Sequence, residues 1–263
     1  MRNFEKLGKK IRKDILRLCF NAESGHIGGP LGAVELYLAL YFLVLNEKSS
    51  FKNRDRVVIS NGHYSALLYS ILYQKGLISL KELNSFRIFK GIQGHPKKDE
   101  SILIETSSGP LGEGLGQALG MAKLNLIENN PGYIYCLMGD GEQAEGSVWE
   151  SCLLCNKLKV NNLTVIIDRN NKQIEGDTED VLPLDSLKEK YIAFGFEVFE
   201  VDGHDILEIS NILLASKKIK KSVCVICNTI FGKGVSFMEK NHIWHGKAIS
   251  EELFNQAIKE LND

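Results

Sequence analysis

Long apolar runs, a surplus of charge and proline-rich stretches are all missing from this 263-residue chain. The longest apolar stretch, LYLALYFLVL at 36–45, is about half of what a bilayer-spanning helix needs. The N-terminal segment MRNFEKLGKKIRKDIL carries charge throughout and lacks the apolar centre of a secretory leader, so a cytoplasmic protein without membrane partners is expected. Lys and Arg total 32 against 33 Asp and Glu, a net charge of -1. That balance gives no general attraction for nucleic acid. With only 5 prolines, no repeat and no low-complexity linker, residues 1–263 are expected to form a single domain. A content of 44% hydrophobic and 25% charged residues excludes disorder as the main state.

Disulfides are not expected, but the 6 cysteines include two C-x-x-C pairs, Cys152/Cys155 and Cys224/Cys227, whose spacing suggests zinc. The second pair lies in SVCVICNTI, an apolar run that reads as a strand, where positions i and i+3 face opposite sides. The first pair shares a helix face, yet two ligands do not close a structural zinc site. Both pairs are expected to be small buried hydrophobes.

Helical and strand patterns alternate along the rest. Residues 3–20 read as an amphipathic helix, 24–32 as a glycine-rich break, and 33–45 as an apolar helix. Strands are expected at 56–60, 133–138, 163–168, 196–201 and 223–227, with helices at 64–74, 111–128, 143–158, 206–217 and 250–261. The strands are short, continuous apolar runs, the pattern of parallel strands covered on both faces. The fold class is therefore α/β: a doubly wound, mostly parallel sheet with helices on both faces.

In such sheets ligands bind beyond the carboxyl ends of the strands. Two strand ends carry suitable groups. In Gly139-Asp140-Gly141-Glu142 the glycines allow close backbone approach, and the following N–H groups can meet a diphosphate. In Asp168-Arg169-Asn170-Asn171, Asn170 lies 30 residues after Asp140, a gap that holds one helix and one strand. A carboxylate, an amide oxygen and a backbone carbonyl form an oxygen set suited to Mg²⁺. On spacing alone, a plain pair of βα turns remains the alternative.

The Asp140–Asn170 spacing is similar to the thiamine diphosphate motif, and the flanking chain resembles the N-terminal, diphosphate-binding domain of transketolase. Seven further segments carry the resemblance in family order: SGHIGGPLG (24–32), DRVVISNGHYSALLYSIL (55–72), QGHP (93–96), SSGPLGEGLGQALGMA (107–122), GDGEQAEGSVWE (139–150), DGHD (202–205) and KGVSFMEKNHIWHGK (233–247). The resemblance implies thiamine diphosphate with Mg²⁺ or another divalent cation. It also implies reversible transfer of a two-carbon ketol unit from a ketose to an aldose, as free sugars or phosphates, in pentose phosphate metabolism.

By the same resemblance, Asp140, Asn170 and the main-chain oxygen of Lys172 bind the metal. Gly139, Gly141 and Glu142 lie against the diphosphate, and Gly109 and Leu111 against the pyrimidine ring. Glu145 faces the partner half of the site. His26, His63, His95 and His245 line the channel to the reacting carbon, where His63 and His245 also meet the cofactor. Histidine titrates near neutral pH and can donate to or accept from sugar hydroxyls. His204 is expected to be structural, in a turn with Asp205 as helix cap, and His242 is given no role. Ile27 stands where the family usually has proline, and Tyr64 where it has a small residue, which is expected to narrow the channel.

The family's cofactor-activating glutamate and most of its phosphate-binding residues belong to a second domain, and full-length transketolases are more than twice this long. The chain is therefore expected to be the N-terminal subunit of a split transketolase. A separate C-terminal subunit with the pyrimidine-binding domain would complete it, as a dimer of heterodimers. The alternatives are a related ketol transferase or synthase for a sulfosugar or branched sugar, and a non-catalytic cofactor-binding paralogue. The synthase of deoxyxylulose phosphate is less similar, because SNGH and WHGK follow the transketolase pattern. A dinucleotide-dependent dehydrogenase would need G-x-G-x-x-G after its first strand, and GPLGEGLG has no strand before it.

Overall fold

Ile11, Ile15 and Leu18 are buried along one side of helix α1 (Arg2–Asn21), as their spacing requires. The computed structural model describes residues 2–262. After α1 come α2 (Gly28–Gly32), α3 (Val34–Leu38) with a π-helical turn at Ala39–Val44, β1 (Arg56–Ile59), α4 (Ser65–Gln74) and α5 (Leu80–Leu83). Helix α6 (Glu113–Ile127) precedes β2 (Ile134–Gly139), α7 (Gly146–Lys157) and β3 (Leu163–Arg169). A hairpin of β4 (Lys172–Gln173) and β5 (Gly176–Asp177) then leads into α8 (Thr178–Val181) and α9 (Leu187–Ala193). The chain continues through β6 (Glu197–Asp202), α10 (Ile206–Ser216), β7 (Val223–Asn228) and α11 (Glu251–Glu260).

The main sheet has strand order β1-β2-β3-β7-β6, and every pairing in it is parallel. Alternate residues of each strand feed two cores, one per face. Val57, Ile59, Leu137, Ile166 and Val225 pack with α1, α3, α4 and α10. Val58, Met138, Val165, Ile167 and Ile226 pack with α6, α7 and α9. The doubly wound parallel arrangement thus agrees with the apolar runs. Cys224 and Cys227 fall into different cores, the strand parity anticipated above. Cys152 and Cys155 share a core, all six cysteines are free and buried, and no group of three or more His, Cys, Asp and Glu side chains placed to hold a metal ion occurs among the described residues. No helix among them is long and apolar enough to cross a membrane.

The glycine-rich segment 24–32 is not wholly a break, because Gly28–Gly32 is helical and buried. Glycine's poor helix propensity is overridden by packing. A Cβ at Gly28 would lie 1.9 Å from the Phe231 ring, and one at Gly29 would lie 2.4 Å from Tyr64 Oη. Helix α6 begins later than its apolar pattern suggests, since Gly112 caps it with φ +79. Helix α7 begins later too, because Gly141–Ala144 forms a separate 3-10 turn. The short helices α5, α8 and α9 and the hairpin have no counterpart in the periodicity of the sequence.

Candidate active site

Strands β1, β2 and β3 end side by side, and the loops leaving them enclose a cavity of about 410 Å³. The register places Gly139 opposite Asp168, so Asp140 and Asp168 become neighbours: the Asp140 N–H donates to the Asp168 carbonyl at 3.2 Å. The chain then turns at Asn171, which adopts a left-handed φ of 62, a conformation asparagine tolerates. This turn aims two N–H groups back at the strand ends. Asn171 N donates to Asp140 Oδ2 at 2.6 Å, and Lys172 N donates to Asn170 Oδ1 at 2.9 Å. Arg169 adds a longer contact to Asp140 Oδ2 at 3.3 Å.

Asp140, Asn170 and Lys172, separated by helix α7 and strand β3, are therefore brought to one place, and all three line the cavity. Asp140 and Asn170 bring a carboxylate and an amide oxygen to this place, donor types that a hard divalent cation takes. Asp140 and Asp168 are both buried, and burial first, then the Asp168 charge, pushes the Asp140 carboxyl up to about 7 against the opposing pull of Arg169. Two buried carboxylates at adjacent strand ends hold more negative charge than one guanidinium offsets.

Gly109, Leu111, Gly139 and Gly141 also line the cavity, and a Cβ at Gly109 or Gly139 would meet nothing within 4 Å. Glu142 lines it too, but its carboxylate is turned inward. Oε1 accepts from Gly139 N at 2.9 Å, and Oε2 accepts from Gly112 N at 2.9 Å and Ser60 Oγ at 2.6 Å. Glu142 thereby ties the end of β2 to the loop after β1 and to the start of α6. Glu145 is exposed at the start of α7, on the cavity's rim.

The four histidines come from four loops and converge. Ring centroids are 5.4 Å apart for His26 and His63, 5.7 Å for His26 and His245, 5.2 Å for His63 and His245, and 6.0 Å for His26 and His95. The loops of His26 and His245 are stitched together by His26 N donating to His245 O at 2.7 Å. A Cβ at Gly25 would lie 2.3 Å from the Gly246 carbonyl oxygen, so this crossing needs glycine. Burial lowers all four imidazole pKa values, that of His26 to about 4. Arg87 reinforces this at His26 and His95, so the cluster is neutral at pH 7.

His204 lies outside the cavity: its ring contacts Glu35 Oε2 at 3.1 Å and accepts from Ile230 N at 2.9 Å. Asp205 caps α10 as expected, accepting from Leu207 and Glu208 N–H. Ile27 is buried and donates to Trp244 O at 3.3 Å, so the loop closes without proline. Tyr64 lines the cavity, but its hydroxyl reaches past it to Asp168 and Asn170.

Several residues of the site stand outside the motifs. Arg87 contacts His26 Nδ1 at 3.1 Å; only tertiary contact marks it. Asp168 has one sequence signal, a carboxylate ending an apolar strand. Gln173, Ile174 and Glu175, in the β4–β5 hairpin, roof the cavity.

The family model for the transketolase, thiamine diphosphate binding domain matches residues 6–262. The chain is 38% identical over 263 residues to one of the subunits of apulose-4-phosphate transketolase from Phocaeicola vulgatus, covering 97% of this chain and 92% of the relative. It is 34% identical to the 6-deoxy-6-sulfo-D-fructose transketolase subunit SqwG of a Clostridium species, covering 95% and 93%. Human transketolase is 31% identical over 96% of this chain, which spans only 41% of that protein. The crystal structure of transketolase from Campylobacter jejuni superposes with a TM-score of 0.90 at 33% identity, covering all of this chain and 43% of the other.

Proposed function

The chain belongs to the transketolase thiamine diphosphate-binding family, and from that premise we propose that it is the diphosphate-binding subunit of a two-chain transketolase. The reaction is reversible transfer of a two-carbon ketol unit from a ketose to an aldose. The observation that carries this reading is the single cavity in which Asp140, Asn170 and four neutral histidines meet over the ends of β1, β2 and β3.

Asp140, Asn170 and the main-chain oxygen of Lys172 would hold Mg²⁺, and the backbone around Gly139 and Gly141 would receive the diphosphate. Gly109 and Leu111 would meet the pyrimidine ring. Thiamine diphosphate supplies, when bound, the carbanion chemistry that breaks and remakes a carbon–carbon bond beside a carbonyl. The protein's part is orientation and proton movement. His26, with Nδ1 engaged by Arg87, offers Nε2–H to a substrate oxygen. His63 and His245, neutral and 5.2 Å apart, can accept or return a hydroxyl proton.

Two features support a partner chain. The chain covers nearly the whole of relatives named as subunits but only about 40% of relatives named simply transketolase. Leu124 and Ile127 on α6 and Leu153 and Leu154 on α7 are exposed on two helices that pack against each other, and apolar side chains of this kind are enriched at interface centres. A pyrimidine-binding subunit would dock there, and two such heterodimers would pair. Six unpaired cysteines suit a cytoplasmic setting.

The test is co-expression with the adjacent reading frame, followed by a donor–acceptor screen with thiamine diphosphate and Mg²⁺. Ketol transfer requiring both chains is expected, whereas a complex that binds no cofactor would sink the proposal. A second reading concerns the sugar: the names of the two subunit relatives make a branched or sulfonated ketose an alternative to pentose phosphate substrates, and the same screen separates them.

A further inference from the structure

We infer that Tyr64 is a positioning residue for the metal loop, orienting the Asn170 side-chain amide so that its oxygen is the atom offered to a cation. The inference rests on the metal-site reading above and concerns how this chain prepares that site. Tyr64 is 2% exposed. Its hydroxyl donates to Asp168 Oδ2 at 2.5 Å and accepts from Asn170 Nδ2 at 3.0 Å, while Asn170 Nδ2 also donates to Asp168 Oδ2 at 2.9 Å. The three polar groups form a closed triangle beneath the site. Thr229 Oγ1 completes it by donating to the other Asp168 oxygen.

The chemistry of the neighbours dictates which way the amide points. Asp168 presents an acceptor and the Lys172 backbone presents a donor, so an amide lying between them must turn nitrogen to the first and oxygen to the second. Flipping it would set its oxygen against the carboxylate and its NH₂ against the Lys172 N–H. The flipped amide would also offer hydrogens to any cation beside Asp140. Tyr64 raises the cost of that flip, because its hydroxyl saturates Asp168 Oδ2 and supplies Nδ2 with a second acceptor.

The tyrosine is itself held firmly. Its ring stands edge-on to His63, with centroids 4.7 Å apart and an interplanar angle of 88°, and its hydroxyl occupies space that only a glycine at position 29 leaves open. One side chain thus couples the metal loop to the histidine wall. A small residue at position 64 could make neither contact.

The experiment is Mn²⁺ titration of thiamine diphosphate uptake by the complex with its partner chain, followed by the electron paramagnetic resonance signal of free Mn²⁺ and by cofactor-dependent fluorescence quenching. Tyr64→Phe keeps the ring and removes the hydroxyl. The Mn²⁺ midpoint should rise about ten-fold or more, the usual effect of losing a partner that orients a metal ligand, while cofactor uptake at saturating Mn²⁺ matches the wild type. An unchanged Mn²⁺ midpoint in a folded Tyr64→Phe complex overturns the inference but leaves the metal site standing. A wild-type complex that takes up no Mn²⁺ overturns both. If Tyr64→Phe does not fold, ¹⁵N spectra of the wild-type complex decide: slow solvent exchange of the Asn170 side-chain N–H groups supports the held amide, and exchange at the rate of a free side chain refutes it.

Discussion

The Arg87 guanidinium lies 3.1 Å from Nδ1 of His26, and that contact determines which imidazole nitrogen carries the proton. A guanidinium only donates, so Nδ1 accepts and the neutral ring bears its hydrogen on Nε2. His26 is therefore set as a donor toward the cavity. The ¹⁵N shifts of His26 should show an unprotonated Nδ1 near pH 7. Arg87→Leu should raise the His26 pKa from about 4, since a cation that disfavours the imidazolium is gone. An NMR titration in which Arg87→Leu leaves that pKa unmoved would contradict this account.

Asp140 should trade stability for function. Its folded pKa, about 7, lies above the ordinary 3.8, so the unfolded chain ionises first. The stabilisation that goes with a protonated Asp140 is full below about pH 4 and is lost as the pH rises toward 7. Without cation, Asp140→Asn should therefore raise stability at pH 8 by an amount on the order of a few kcal/mol, yet abolish cofactor retention. Urea denaturation and equilibrium dialysis check the two halves, and a destabilised Asp140→Asn chain at pH 8 would refute the first.

Glu35 behaves oppositely. Arg12 grips it at 2.8 and 2.7 Å and His204 lies 3.1 Å away. Although burial opposes it, these partners hold the Glu35 pKa at about 2. The resulting stabilisation is present above about pH 4.5 and disappears as the pH falls toward 2. Glu35→Ala, which strands the buried Arg12 charge, should cost about 3–5 kcal/mol at pH 7. The loss should shrink near pH 3, as measured by denaturant midpoints at the two pH values.

Gly25→Ala tests the crossing of two histidine loops. The added methyl would sit 2.3 Å from the Gly246 carbonyl oxygen, so the His26–His245 backbone bond must open. Turnover should fall more than ten-fold while far-ultraviolet circular dichroism stays unchanged. Wild-type turnover would mean that the loops need not touch.

Leu153→Asp and Leu124→Arg address the exposed apolar surface of α6 and α7. Each should change the stability of the isolated chain by less than about 0.5 kcal/mol, as surface substitutions usually do. Association with the partner chain should be lost in sedimentation velocity. Retained association with both variants would place the interface elsewhere.

Much of the site was legible because its residues sit in loops bounded by strong local signals. Gly139 and Gly141 flank Asp140, Asn170 follows an uninterrupted apolar strand, and glycine or proline lies close to each of His26, His63, His95 and His245. Where sequence and structure part, packing overrules local preference. Gly28–Gly32 is helical despite its glycines, and Phe231 and Tyr64 pack too closely on Gly28 and Gly29 to admit a side chain there. The Glu142 carboxylate is drawn inward by the neighbouring Gly139 N–H and by Gly112 and Ser60 from distant segments, a tie that local sequence does not show. Tyr64, expected only to narrow the channel, lines the cavity and also hydrogen-bonds Asp168 and Asn170.

By itself, the amino-acid order determined the α/β class, the parallel sheet, the opposed faces of Cys224 and Cys227 and most of the loops that line the cavity, because periodicity and turn chemistry act over a few neighbours. Tertiary structure alone decided the proton on His26, the direction of the Asn170 amide and the raised pKa of Asp140. Each depends on a donor, an acceptor or a charge brought from another part of the chain, and such through-space pairings leave no imprint on local pattern.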